Sequence, residues 1–239
     1  MATMTLDDLV TQLRSAYGAQ LSSVVLYGSA ATSEHIPKQS DYNVLVLLER
    51  LDAASLAATS AVARAWRDAG NPPPMTMTVA EWHRSADVFP MEYSDILERN
   101  RVLHGTLPVD GIRVDRGHLR LQVEYEAMGK LIALRQGTMA AAGDERRQAE
   151  LLQVSLSPIL VVFRALLRLH GDRPPTGHEA LVAEAARLGA FDGEPFLRVV
   201  RHVRGDERLK GAAVGETLSR YLAAMEELVH HLDRFTAPA

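Results

Sequence analysis

The 239-residue sequence predicts an α+β chain in which a small mixed-sheet domain is followed by a helical bundle. Three observations predict it. Up to about residue 104, short apolar runs suited to buried strands, such as SVVLY and YNVLVLL, alternate with one or two helical patterns. Beyond about residue 118, nearly every segment repeats at helical spacing. Between the two, GTLPVDGIRVDRGH is rich in Gly and Pro with little periodicity, and it divides the chain into residues 1–112 and 113–239.

Along the first part, Thr5 with Asp8 three residues on makes a capping box for a helix whose apolar face is Leu6, Leu9, Val10 and Leu13. Ser22 to Tyr27 and Tyr42 to Leu48 read as buried strands. Asp52 caps an alanine-rich helix continuing to about Arg67, and GNPPP stops it. Met75 to Val79 is a third strand candidate; Glu92 to Ile96 and Arg101 to His104 are weaker ones. In the second part five helical segments fall at about 117–137, 144–170, 177–189, 194–204 and 212–234. Pro158 lies inside the second of these and is expected to kink or split it.

The totals exclude several classes. With 47% hydrophobic and 23% charged residues, the composition is that of a globular chain able to bury a core. A net charge of -4 argues against general nucleic-acid binding, which needs a basic excess to neutralise phosphates. The absence of Cys excludes disulfides, a thiolate nucleophile and a Cys-based zinc site. Asp7 and Asp8 stand where a signal peptide carries positive charge, and PILVVFRALLRL is broken by Arg164 and Arg168, well short of the ~20 apolar residues that span a bilayer. The expectation is a cytoplasmic protein with no membrane partner.

The chemistry concentrates in VVLYGSAATSEHIPKQSDYNVLVLLE, residues 24–49. Gly28 lets backbone approach a ligand, Ser29 adds a hydroxyl, and amides opening a helical turn form an anion cradle. Asp41 and Asn43, two apart, face one side of a strand. Each has a plainer reading. Gly28-Ser29 could be only a tight turn, Asp41 only a strand cap, and Lys38 only a solvated loop cation. Asn43 could brace the Gly-Ser backbone as well as ligate a metal.

Gly28-Ser29, a polar loop, Ser40-Asp41-Tyr42-Asn43 and the apolar VLVLLE resemble the signature of the polymerase-β-type nucleotidyltransferase superfamily, whose usual form is Gly-Ser, a loop, Asp-x-Asp and a strand. The two-part layout is similar to the aminoglycoside-adenylylating branch, and SADVFPMEYSDILERNRVLHG resembles a block of bacterial nucleotidyltransferase-domain proteins. The resemblance implies a nucleotidyltransferase-like domain that transfers a nucleoside monophosphate from an NTP, chiefly ATP, to a hydroxyl of a small-molecule or protein acceptor. The ligand would lie in a cleft between the two parts. It further implies that Gly28 and Ser29, with Ser40 and Lys38, hold the phosphates, and that Asp41 and Asn43 ligate Mg²⁺.

The sequence departs from that pattern in two places. The second ligand is the neutral Asn43, and the next strand, MTMTV, has no acid. One charge facing a cation at ~4 Å and an effective dielectric of ~20 is worth about 4 kcal/mol per unit ion charge, so a weak or single metal site is expected. Glu92 and Asp95 are the acids available to stand in, and on a strand at most one faces the site, so Glu92 joins Asp41 and Asn43 as a catalytic candidate. The alternative is a catalytically inactive nucleotide-binding or protein-interaction module. Glu124 and Glu126 could face the ligand or simply solvent, and Arg198, Arg201 and Arg204 form a basic stripe that is either solvated or an acceptor-phosphate site.

Overall fold

The computed structural model describes residues 4–31 and 42–235, in two compact units, Met1–Asp115 and Arg116–Ala239. The first unit contains α1 (Leu6–Tyr17), β1 (Leu21–Tyr27), β2 (Asn43–Leu48), α2 (Ala53–Ala58), α3 (Ser60–Asp68), β3 (Met75–Thr78), α4 (Val79–Arg84), α5 (Pro90–Glu98) and β4 (Asn100–Gly105). The strands form one mixed sheet in the order β3-β2-β1-β4. β1 runs antiparallel to β2 and β4, and β2 runs parallel to β3.

β1 and β2 are central, so both faces need cover, and alternate residues supply two cores. Val24, Leu26, Val44, Val46 and Leu48 pack with Leu9 and Leu13 of α1 and Trp66 of α3. Val25, Leu45 and Leu47 pack with Trp82 of α4 and with Tyr93 and Ile96 of α5. Each such Leu or Val contributes about 1.5–3 kcal/mol by leaving water. Thr5 makes the reciprocal capping box with Asp8, and Thr78 makes a second one with Glu81 at the start of α4.

The structure corrects three local expectations. The alanine-rich helix is two helices, broken at Thr59, whose hydroxyl bonds back to the Ser55 and Leu56 carbonyls at 3.3 and 3.2 Å and meets the buried Tyr17 hydroxyl at 2.9 Å. Glu92 to Ile96 is helical, not extended: Pro90 opens α5, where its missing N–H costs nothing. Pro158 does not split its helix: it lies on the exposed side, where water can take the freed carbonyl.

The second unit holds α6 (Arg116–Ala141), α7 (Glu145–His170), α8 (His178–Gly189), α9 (Glu194–Arg204) and α10 (Ala212–Arg234). Helix α7 packs against the other four, and Phe163 anchors its centre through an edge-on contact with Phe196 at 5.0 Å. By length and composition alone α7 could cross a bilayer, contrary to the sequence expectation. Ten apolar residues of α7 are buried, as in the core helix of a helical unit.

Candidate functional site

The register Tyr27↔Asn43 sets the last residue of β1 opposite the first of β2, so the loop between them leaves and re-enters the sheet at one end. Asn43 lies on the face of Leu45 and Leu47, the face that α5 covers. Two contacts fix α5 there. The Trp82 and Tyr93 rings stack with centroids 4.1 Å apart, and the Tyr93 hydroxyl donates to the Trp82 carbonyl at 2.6 Å. The Trp82 indole N–H in turn donates to the Pro108 carbonyl at 2.7 Å.

Because the segment is a helix, Glu92 and Asp95 sit one turn apart on one side of it. Both carboxylates act on the Tyr27 phenol. Burial first, then Glu92 and Asp95, push the Tyr27 pKa up to about 12. The sequence expectation that at most one of these acids could face the site is therefore corrected.

Gly28 follows at φ +77° and opens the 3-10 turn Gly28–Ala31 that contains Ser29. A Cβ on Gly28 would lie 3.3 Å from Asn43 Nδ2 and 3.5 Å from Asp95 Oδ2. The missing side chain is what lets an amide and a carboxylate close on the turn. The Gly28 N–H donates to the Arg99 carbonyl at 3.2 Å, which ties the turn to the residue before β4. Arg99 Nε also stands 3.6 Å from Asp95 Oδ1, with both side chains largely buried. Phosphate contacts from this turn would thus fall to the amides after Gly28.

The structure therefore brings together Gly28, Asn43, Glu92, Asp95, Arg99 and Tyr27. Lys38, Ser40 and Asp41 lie outside the described residues. Sequence reasoning missed the Arg99–Asp95 pair and the closeness of Asp95 to the turn. Pro90 as the first residue of a helix, with Glu92 and Asp95 three apart, was the signal available for the latter.

Other candidates have partners elsewhere. Glu124 pairs with Arg120 at 3.1 Å and Glu126 with Lys130 at 2.7 Å, both along α6. Arg198, Arg201 and Arg204 meet Glu207, Glu194 and Glu179 at 3.2, 3.1 and 3.7 Å, which favours an ion-paired surface over an anion site.

Among the described residues, no three His, Asp or Glu side chains converge as a metal cluster. The donor set does not fit a two-metal centre: Asn43 offers one neutral oxygen, β3 offers no acid, and Arg99 offsets the charge of Asp95.

An alkaline titration reads this packing directly. Burial also pushes Tyr93 up to about 12 and raises Tyr221 further, so three of the six tyrosines are expected to ionise late when followed at 295 nm. A raised folded pKa favours the neutral phenol. The stability it contributes is complete below pH 10 and is lost as pH rises through about 12. Tyr27→Phe should therefore keep more of its pH 9 stability at pH 11 than wild type does. Equal loss in both would contradict the buried placement of Tyr27.

Comparison with known proteins bears on the fold. No protein-family profile and no curated protein matches the chain. Among solved structures, the fold has a counterpart. The spectinomycin adenyltransferase AAD(9) from Enterococcus faecialis, solved with ATP and spectinomycin, superposes with a TM-score of 0.60 over 96% of this chain and 100% of its own, at 12% identity.

Proposed function

We propose that the chain binds a nucleoside triphosphate, ATP by preference, at the Gly28 end of its sheet and transfers the nucleoside monophosphate to a hydroxyl of a small molecule or protein. The observation that carries this reading is the meeting of Gly28, Asn43, Glu92 and Asp95 at one end of β1 and β2. The fold around them is shared over 96% of the chain with an adenyltransferase solved with ATP.

In this reading the turn amides from Ser29 onward take phosphate oxygens, with Lys38 and Ser40 contributing from the loop. Asn43 and Asp95 hold the turn in shape. Glu92 accepts the proton of the acceptor hydroxyl as its oxygen bonds to the α-phosphorus, while the bond to the bridging oxygen breaks and pyrophosphate leaves with the electron pair. A single Mg²⁺ held by Asp41 and Asn43 would supply charge neutralisation for the triphosphate.

The test is transfer of label from α-phosphate-labelled ATP to a panel of hydroxyl acceptors. Transfer by wild type, with Glu92→Gln slower by 10²–10⁴-fold while still binding ATP, is expected. A second reading, a nucleotide-binding module without turnover, is favoured by the neutral Asn43 and the acid-free β3. It predicts no transfer to any acceptor, ATP stabilisation that is equal with and without Mg²⁺, and a metal dependence gained on Asn43→Asp.

A further inference from the structure

The C-terminal turns of α7 and α10 bring two imidazoles together in the helical unit, and neither histidine has a part in the nucleotide reading. His170 Nε2 and His231 Nε2 are 3.2 Å apart, and the rings lie within 19° of parallel with centroids 5.4 Å apart. Phe235 closes one side, its ring centroid 4.8 Å from that of His170 and 6.2 Å from that of His231. Two imidazole nitrogens bound to one tetrahedral ion at the usual zinc–nitrogen distance stand about 3.3 Å apart, so the pair already has the spacing of two ligands of one metal. Without metal, one neutral ring donates to the other across the same gap.

We propose that His170 and His231 form a site for a single divalent transition-metal ion, Zn²⁺ or a borderline relative such as Ni²⁺ or Cu²⁺, that clips the C-terminal ends of α7 and α10 together. Imidazole is a suitable ligand for these ions and a poor one for Mg²⁺ or Ca²⁺.

The surroundings carry charge of both signs. His170 ends α7 and His231 lies in the last turn of α10, so the negative ends of two helix dipoles face the pair. Asp172 adds negative potential at His170 against the positive Arg187. From α6, Arg120 is engaged with the Leu232, Asp233 and Phe235 carbonyls, and Arg116 reaches toward Gly171. Burial holds both imidazoles below the usual histidine range, keeping them in the neutral, ligating form at pH 7. Both rings are half-buried, which leaves an open side for water to complete the coordination.

The experiment uses the full chain, stripped with EDTA and titrated with ZnCl₂, with MgCl₂ as control. At zinc 100-fold above Kd, the melting temperature of wild type is expected to rise by about 5–10 °C. His170→Gln and His231→Gln should each bind zinc at least tenfold more weakly. His230→Gln, an exposed neighbour, should behave as wild type. In wild type alone, zinc should shift the NMR signals of two of the nine histidines, which keeps the proposal testable if a variant does not fold. No zinc-dependent rise in wild type, an equal rise in His170→Gln and His231→Gln, or shifts at other histidines would overturn it.

Discussion

Gly105→Ala is expected to destabilise the first unit by about 3–5 kcal/mol, a large share of the 5–15 kcal/mol that holds a typical domain. Gly105 ends β4 at φ +67°, where any side chain costs about 1–2 kcal/mol. The larger part comes from position. Its Cβ would lie 1.9 Å from the Ser22 carbonyl oxygen, 3.1 Å from that carbonyl carbon and 3.2 Å from Ser23 Cα. All three are backbone atoms of β1, which is held between β2 and β4 and cannot withdraw without breaking a ladder. β4 would have to detach at this end instead. Gly111→Ala is the control: φ is +77° there too, but no heavy atom lies within 4 Å of the added carbon. Urea unfolding of both variants separates the two costs. A Gly105→Ala loss within about 1 kcal/mol of the Gly111→Ala loss would mean that the β1–β4 contact is not as described.

Gly28→Val is expected to abolish ATP-dependent stabilisation while costing about 2 kcal/mol of intrinsic stability. An added methyl would fit only if the Asn43 amide gave way by a few tenths of an ångström, with Asn43 Nδ2 at 3.3 Å and Asp95 Oδ2 at 3.5 Å. The two further carbons of valine would not. They would push the amide and the carboxylate off the turn and occupy the space through which a phosphate must approach. Gly70→Ala, at φ +92° with nothing within 4 Å, separates backbone strain from the loss of the site. It should lose comparable strain energy and keep its response to ATP. An unchanged ATP shift in Gly28→Val would place any nucleotide elsewhere.

The parts of the fold that were readable in the sequence were those whose local pattern matched their burial. β1 and β2 are covered on both faces, so they appear as unbroken apolar runs, and the five bundle helices each carry a buried stripe. Legibility failed where a single side chain decided the outcome. Thr59 ends a helix through a hydroxyl bond to its own preceding turn, inside an alanine-rich stretch that otherwise favours continuation. MEYSDI alternates well enough to pass for a strand, yet Pro90 and the Trp82–Tyr93 stack make it a helix seated on the sheet.

That difference governs the site. Gly28, Asn43 and Glu92 were identifiable as residue types in a pattern, but the nearness of Asp95 to Gly28 depends on how α5 packs, which no local spacing encodes. The Arg99 contact with Asp95 is likewise invisible until β4 follows α5 back to the same end of the sheet.

The most direct test of nucleotide binding at this end of the sheet is the ATP-dependent thermal shift of wild type beside Asp41→Ala. ATP at 100-fold above Kd should raise the wild-type melting temperature by about 5–10 °C. Asp41→Ala should lose most of that rise while its melting temperature without ATP stays within about 2 °C of wild type. An equal rise in both proteins, or none in wild type, would contradict the assignment.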